Sequence, residues 1–332
     1  MFIQILKELI IIQNTKNNKL NIKRLIALVT LIIIIISSIA ISFTPDLNLP
    51  FDIPEWHEIF KLVGLRNSSE QCLQPFSVHF IDVGQGDCIL IKTEHGNTLI
   101  DAGDIGNSEN IIRYLKNMNI YSLDYIIISH PDLDHIGSMS EIINEIRVSK
   151  IILPNINKEN LPSTRNFEDL LNIISKSKAL VYAANFGDEY LLGNAKMKIL
   201  GPITQSSNLN NMSAVLRVEY GNTSFLFTGD AEEEEENDII KSGENIKSDV
   251  LKAGHHGSKN SSGAEFLNKV LPSDVIISCG KDNLYGHPNS ETLDRFKTIG
   301  AKVFRTDKVG IIVLTSDGEK ITRYFQNCKI EY

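Results

Sequence analysis

At 332 residues, with 42% hydrophobic and 22% charged side chains, the chain has the composition of an ordinary globular protein with a sizeable core. The net charge of −8 is unevenly spread: residues 1–24 carry Lys7, Lys16, Lys19, Lys23 and Arg24 against Glu8, so the rest stands near −12. An acidic body gives no general electrostatic attraction for nucleic acid, which would favour a basic surface.

The run Leu25 to Phe43 lacks charge and is dominated by Ile, Leu and Val. Its roughly 19 residues are enough to cross a hydrocarbon core of about 30 Å. Basic residues precede it and Asp46, Asp52 and Glu55 follow it, which puts residues 1–24 in the cytoplasm and the rest outside the cell membrane. Ser38-Ile39-Ala40 offers the small-x-small pattern of a cleavable signal, but the apolar run exceeds the usual h-region, so an uncleaved single-pass anchor is the reading taken. Residues 44–75 contain Pro45, Pro50 and Pro54 and read as a linker with a short helix around Glu55 to Leu65. From residue 76 to 332 strand-like and helix-like segments alternate.

Strands are predicted near Val78–Val83, Cys88–Lys92, Thr98–Asp101, Tyr125–Ser129 and Lys150–Leu153, then Leu180–Ala183, Lys196–Leu200, Ala214–Tyr220 and Ser224–Thr228. Val250–Lys252, Val275–Ser278, Lys302–Arg305 and Gly310–Thr315 complete them, and helical periodicity marks Glu109–Met118, Gly137–Ile146, Asn166–Ser175 and Ser290–Ile299. Glu232 to Glu236 read as the solvated face of a helix. Two groups of strands interleaved with helices suit two sheets packed face to face, an α/β class. Cys72, Cys88, Cys279 and Cys328 are too few and scattered for a disulfide framework, and Cys88 and Cys279 sit in apolar runs as small hydrophobes.

The most informative stretch is Ser129-His130-Pro131-Asp132-Leu133-Asp134-His135-Ile136-Gly137. It places two histidines and two carboxylates in six positions after the apolar run Tyr125-Ile126-Ile127-Ile128, and Pro131 stops that strand. Imidazole and carboxylate together suit zinc or manganese. Four other clusters share the form of an apolar strand opening into a glycine-containing loop with Asp or His. They are Phe80-Ile81-Asp82-Val83-Gly84-Gln85-Gly86-Asp87, Thr98-Leu99-Ile100-Asp101-Ala102-Gly103, Phe225-Leu226-Phe227-Thr228-Gly229-Asp230 and Leu251-Lys252-Ala253-Gly254-His255-His256-Gly257-Ser258. No nucleophile elbow, Cys-His signature or phosphate-binding P-loop is present.

With Asn283-Leu284-Tyr285-Gly286-His287-Pro288, these motifs make residues from about Pro75 to Tyr332 resemble the metallo-β-lactamase-fold hydrolases, and among them the extracytoplasmic hydrolase domain of ComEC-type competence proteins. The resemblance implies an αββα sandwich, here preceded by one transmembrane helix, and a site for two divalent ions, Zn2+ with Mn2+ as the alternative. It implies that His130 and Asp132 hold one ion, Asp134 and His135 the other, and that Asp230 bridges them. Adjacent residues rarely aim at one point, so His256 is taken as a further ligand and His255 as a proton donor or substrate contact. His287 is assigned to a phosphoryl oxygen, and Asp134 counts as both ligand and catalytic group. Asp82 and Asp101 are expected to brace ligating histidines. Gln85, Asp87, Asn211 and Tyr285 are expected to meet substrate.

Two departures from the commonest form of that fold stand out. Asp132 replaces its usual second histidine, as in the ComEC-type branch, and Asn208, Asn210, Asn211 and Ser213 occupy a segment where other branches place a ligating histidine. Both leave the first metal position oxygen-rich, which favours manganese as a competitor of zinc. The resemblance thus implies a membrane-anchored, extracytoplasmic phosphodiesterase or nuclease using metal-activated hydroxide, with a phosphodiester, DNA among them, as substrate and no specific protein partner evident. The alternatives are a phosphorylcholine-esterase-like hydrolase of envelope polymers, through a looser likeness, and a non-catalytic metal-binding domain.

Overall fold

The computed structural model describes residues 74–326, together with Thr30. All of these but Thr30 fall within the unit Asn67–Tyr332. The predicted span Leu25–Phe43 (Thr30 aside), the helix expected around Glu55 to Leu65, Cys72 and Cys328 lie outside the described residues. No described helix is long and apolar enough to cross a membrane.

Fifteen described strands form two sheets. The first joins β1 (Phe76–Phe80), β2 (Ile89–Thr93), β3 (Asn97–Ile100), β4 (Ser122–Ile127), β5 (Arg147–Pro154) and β6 (Leu180–Ala184) to β14 (Ile311–Ser316) and β15 (Ile321–Gln326), in the order β15-β14-β1-β2-β3-β4-β5-β6. The second contains β7 (Glu189–Leu192), β8 (Ala195–Gly201), β9 (Val215–Tyr220), β10 (Thr223–Phe227), β11 (Val250–Lys252), β12 (Asp274–Ile277) and β13 (Lys302–Arg305), in the order β13-β12-β11-β10-β9-β8-β7. Helices α1 (Ser108–Asn117), α2 (Leu133–Ile136), α3 (Met139–Glu145) and α4 (Arg165–Lys176) belong to the first half, and α5 (Glu233–Ser242), α6 (Ala264–Val270), α7 (Ser290–Thr298) and α8 (Thr306–Val309) to the second.

Alternation along the strands builds three apolar layers. Phe76, Val78 and Phe80 of β1 face Phe225 and Phe227 of β10 between the sheets, with the Phe76 and Phe225 rings 5.3 Å apart. Leu90, Leu99 and Ile126 point the other way, against Ile111, Leu115 and Leu170 of α1 and α4. Leu226 and Leu251 likewise meet Ile239, Phe266 and Phe296 of α5, α6 and α7. The result is the expected αββα sandwich.

Strands β3 to β6 run parallel, as do β10 to β13, whereas β1, β2, β14 and β15 pair antiparallel. A parallel strand buried on both faces reads as a continuous apolar run, which is why Tyr125–Ile128 stood out in the sequence. The carboxyl ends of β3, β4, β10, β11 and β12 then open toward one edge of the sandwich, the usual place for a site in parallel sheets. The predicted elements are recovered within a few residues at their ends, the helix expected over Gly137–Ile146 being the shorter α3. The one-turn helix α2 before it, helices α6 and α8, and the strands β7 and β15 were not foreseen.

The acidic run corrects another expectation. Glu233 and Glu234 are exposed, but Glu235 and Glu236 are 1% and 2% exposed. Five consecutive residues span more than one turn of a helix, so α5 must turn some of them toward the core. Glu235 Oε1 accepts from Ile203 N at 3.0 Å, and Glu236 accepts from Ser262 N at 2.6 Å and Gly263 N at 2.9 Å. The two carboxyls thus satisfy loop amides that would otherwise be orphaned. Burial pushes Glu236 up to about 7, against the lowering effect of those amides.

In the folded protein Glu236 keeps its proton up to about pH 7, whereas an unfolded glutamate releases it near 4.5. Its contribution is full below the lower value and is lost as pH rises through the upper one, by up to roughly 3 kcal/mol. Urea unfolding of wild type and Glu236→Gln across pH 4–8 is therefore expected to show the variant gaining relative stability as pH rises. Parallel curves would refute this assignment.

Candidate metal centre

The polar edge of the sandwich is built from loops of both sheets. After β4 the chain passes through Ser129 and His130, and Pro131 ends the strand direction. Asp132 enters the one-turn helix α2 with extended backbone, and α2 brings His135 back beside His130, their rings 4.1 Å apart. Both histidines are fully buried. Gly86 allows this packing, because a Cβ there would collide with the Asp134 carbonyl, and its φ is +123°.

Asp101 braces this loop as expected. Its Oδ1 accepts from Ser129 N at 2.8 Å, and its Oδ2 accepts from Ser129 Oγ at 2.5 Å and lies 2.8 Å from His135 Nδ1. With Nδ1 donating to Asp101, His135 presents Nε2 to the site. Asp101 holds φ +57°, an unusual value for a non-glycine residue that this network maintains.

The second sheet supplies the opposing groups. Asp230 follows Gly229, whose φ of +52° and close approach to Ser129 and Ser213 admit no side chain. Asp230 N donates to Ser213 Oγ at 3.0 Å. Its Oδ1 lies 3.4 Å from His135 Nε2, and its Oδ2 lies 3.4 Å from His256 Nε2 and 3.7 Å from His255 Nε2. His255 and His256 both adopt positive φ, +47° and +54°, and this sharp turn splits the pair. His256 is buried, donates Nδ1 to the Ser278 carbonyl at 2.9 Å and points Nε2 at Asp134 Oδ2, 3.1 Å away. His255 is partly exposed, with Nδ1 3.2 Å from Glu232 Oε1 and its ring 5.3 Å from that of His287.

Besides Asp87 Oδ1, four side-chain atoms here are buried without a well-formed hydrogen bond and face one another, Asp132 or Asp134: His130 Nε2, His135 Nε2, His256 Nε2 and Asp230 Oδ1. Their residues fall in overlapping sets, His130–His135–Asp230, Asp134–His135–His256 and Asp87–Asp230–His256, whose ligand atoms lie within 4.8 Å of one another. Buried polar atoms are ordinarily satisfied, so unpaired lone pairs of this kind fit divalent cations. Asp132 stands at the rim, its Oδ2 3.6 Å from His130 Nε2.

The electrostatics agree. Burial alone would lower His135 and His256, but Asp230 first, and Asp101 and Asp134 respectively, raise both above the ordinary imidazole range. Burial would raise Asp230, yet His256 and His135 hold it well below the carboxylate range. A cluster that draws protons so strongly is also one that draws metal cations.

Other expected residues sit differently. Asp82 accepts from Gly84 N at 3.1 Å and closes its own turn instead of bracing a histidine. Gln85 Oε1 accepts from Gly280 N at 3.1 Å and ties two site loops together. Asp87 is 1% exposed and ion-paired with Lys252, so it lies beneath the site and out of reach of substrate. Asn211, also buried, donates Nδ2 to Glu234 at 2.9 Å and accepts from Glu232 N at 2.9 Å, which uses its amide within the loop. Short side chains in glycine-rich turns read as surface groups until the opposite sheet covers them. Tyr285 is 70% exposed beside His287, whose backbone is pinned by Asn283. Burial, then His255, pushes His287 down to about 4.

Lys252 was not foreseen. It is fully buried in β11, its Nζ donating to Gly229 O at 3.1 Å and lying 3.7 Å from Asp230 Oδ1. A lone lysine at the end of an apolar strand carries no signal beyond the alternation that places it, like Val250, on the inner face.

Residues 81–281 match the protein family described as the Metallo-beta-lactamase superfamily. ComE operon protein 3 of Bacillus subtilis is 32% identical over 254 residues, which cover 71% of this chain and 32% of that protein. Competence protein ComA of Neisseria gonorrhoeae is 30% identical over 233 residues, covering 70% of this chain and 31% of that protein. The chain thus spans about a third of the length of these curated relatives. The crystal structure of CmlA, a diiron beta-hydroxylase from Streptomyces venezuelae, superposes with a TM-score of 0.53 at 14% identity, covering 73% of this chain and 54% of that one, a likeness of fold.

The contrast within the histidine pair has a direct test. His256→Ala is expected to lower bound metal together with any turnover, as the loss of a candidate ligand atom would. His255→Ala is expected to keep its metal and lose roughly 10²–10⁴ in rate, the range of a general acid–base group. Elemental analysis of the two purified variants decides it, and depletion in His255→Ala with full metal in His256→Ala reverses the assignment.

Proposed function

Because the chain belongs to the metallo-beta-lactamase superfamily, a group of generally metal-dependent hydrolases related here to competence proteins, we propose that it hydrolyses phosphodiesters, DNA foremost, with two divalent ions. The observation that carries this reading is the set of four buried, unpartnered atoms on His130, His135, His256 and Asp230. His130 and Asp132 would hold one ion and Asp134, His135 and His256 the other; Asp230, grouped with His130 and His135 and also facing His256, would be shared by both. The mixture of imidazole and carboxylate suits Zn2+ or Mn2+. Divalent cations bound there supply a nucleophile at neutral pH and positive charge for the leaving oxygen.

The chain's own groups do the remaining work. Asp101 and the Ser278 carbonyl fix the ring orientations of His135 and His256, so the donors need no rearrangement. His255, 3.7 Å from Asp230 and held by Glu232, would give a proton to a departing alkoxide. His287, kept neutral by its surroundings, offers a donor to a phosphoryl oxygen at the same opening. Anchoring through Leu25–Phe43, with the hydrolase outside the membrane, rests on the sequence pattern and completes the proposal.

DNA is favoured over a phosphocholine polymer because relatives at 30% identity carry the names Competence protein ComA and Recombination protein 2. The protein loaded with Mn2+ or Zn2+ is expected to cleave a chromogenic bis-phosphodiester and single-stranded DNA, and to leave a phosphocholine ester largely intact. Preference for the ester would transfer the reading to envelope polymers, and metal bound without turnover on any of the three would make it a binding domain. Asp230→Asn keeps the side-chain shape and removes the shared charge. It is expected to fold, bind fewer than two metals per chain and lose most activity; wild-type turnover would exclude Asp230 from the mechanism.

A further inference from the structure

Directly beneath the histidines lies a charge pair that the proposed chemistry does not use. Lys252 is fully buried at the end of β11 in the second sheet, and Asp87, 1% exposed, comes from the loop between β1 and β2 in the first. Lys252 Nζ forms a close ion pair with Asp87 Oδ2, donates to Gly229 O at 3.1 Å and lies 3.7 Å from Asp230 Oδ1. Asp87 in turn places Oδ1 3.7 Å from His256 Nδ1 and Oδ2 3.9 Å from His135 Nδ1. One permanent cation is therefore shared among Asp87, Asp230 and the carbonyl that leads into Asp230. Asp101, Asp87 and Asp230 are all under 5% exposed, and three carboxylates this close repel strongly in a medium of low dielectric.

We infer that Lys252 is a positioning residue, an internal cation that clamps Asp87 across the two sheets and balances Asp230, so that the ligand set stands assembled before any metal arrives. The clamp follows from the ion pair and its burial alone; its consequence for metal affinity rests on the reading of the site as a metal centre. Removing one member of a buried pair leaves an uncompensated charge, whereas removing both leaves none. Charge so near the ligands must also set how strongly they attract a cation. Asp87→Asn, which leaves Lys252 in excess, should weaken Mn2+ binding, and adding Lys252→Met should restore it.

The experiment compares wild type, Asp87→Asn, Lys252→Met and the double variant in the full chain, each stripped with EDTA and titrated with Mn2+. Melting temperature of the metal-free protein and Mn2+ affinity are read separately. The expected result is a marked loss of metal-free stability in Lys252→Met and recovery of most of it in the double variant. Asp87→Asn should bind Mn2+ at least about tenfold more weakly than wild type, with the double variant returning toward wild type. If Lys252→Met does not fold, a folded double variant sustains the inference. A double variant no more stable than Lys252→Met, or one that binds Mn2+ no better than Asp87→Asn, overturns it. Wild type that binds no Mn2+ at all removes the metal centre, while the metal-free melting series still judges the clamp.

Discussion

The structure is organised around the burial of charge at one edge of a sandwich. Asp87, Asp101, Asp230, His130, His135, His256 and Lys252 are each under 5% exposed, at a place where an isolated ion would cost many kcal/mol. Such a concentration persists only if each charge meets an opposite one or a directed hydrogen bond. Asp101 takes three donors from the Ser129 and His135 side, Lys252 neutralises Asp87, and the imidazoles surround Asp230. Among these charged groups the atoms left without a hydrogen bond are His130 Nε2, His135 Nε2, His256 Nε2, Asp230 Oδ1 and Asp87 Oδ1, all at this edge, and so many in one place fit a metal centre better than a poorly solvated core.

Two sheets are required for this. The first contributes His130, Asp132, Asp134 and His135 from the end of β4, and the second contributes Asp230, His255 and His256 from the ends of β10 and β11. Neither half holds a complete set, so the apolar layer of Phe76, Phe80, Phe225 and Phe227 between the sheets fixes the distance across the site. The Lys252–Asp87 pair spans the same gap at its polar end. Packing and electrostatics therefore register the same two surfaces, and an error in either would move Asp230 away from His135.

Much of this was legible in the sequence because strand ends in parallel sheets announce themselves. The run Tyr125–Ile128 followed by His-Pro-Asp, and Phe225–Phe227 followed by Thr-Gly-Asp, are patterns in which apolar β-branched or aromatic residues stop at a loop bearing ligands. Asp101 as a brace followed from the same logic. What failed were residues whose meaning depends on the opposite sheet or a neighbouring loop. Asp87 and Asn211 look like loop polar groups available to substrate, and only the packing shows Lys252, Glu232 and Glu234 taking them. Glu235 and Glu236 read as solvent-facing because a run of like charge usually is, and the phase of α5 overrides that prior. The edge strand β7, four residues long, is too short for its alternation to rise above the surrounding turns.

The two competence-protein relatives are longer than this chain, and the matched sequence makes up about a third of each. The proposed function requires that the unpaired atoms on His130, His135, His256 and Asp230 hold two cations. Anomalous diffraction from crystals grown with Mn2+ measures this most directly. Two peaks separated by about 3.5–4 Å are expected, with Asp230 between them and His130 and His256 on opposite sides. No peak in this cluster, or density bound to other residues, would contradict it.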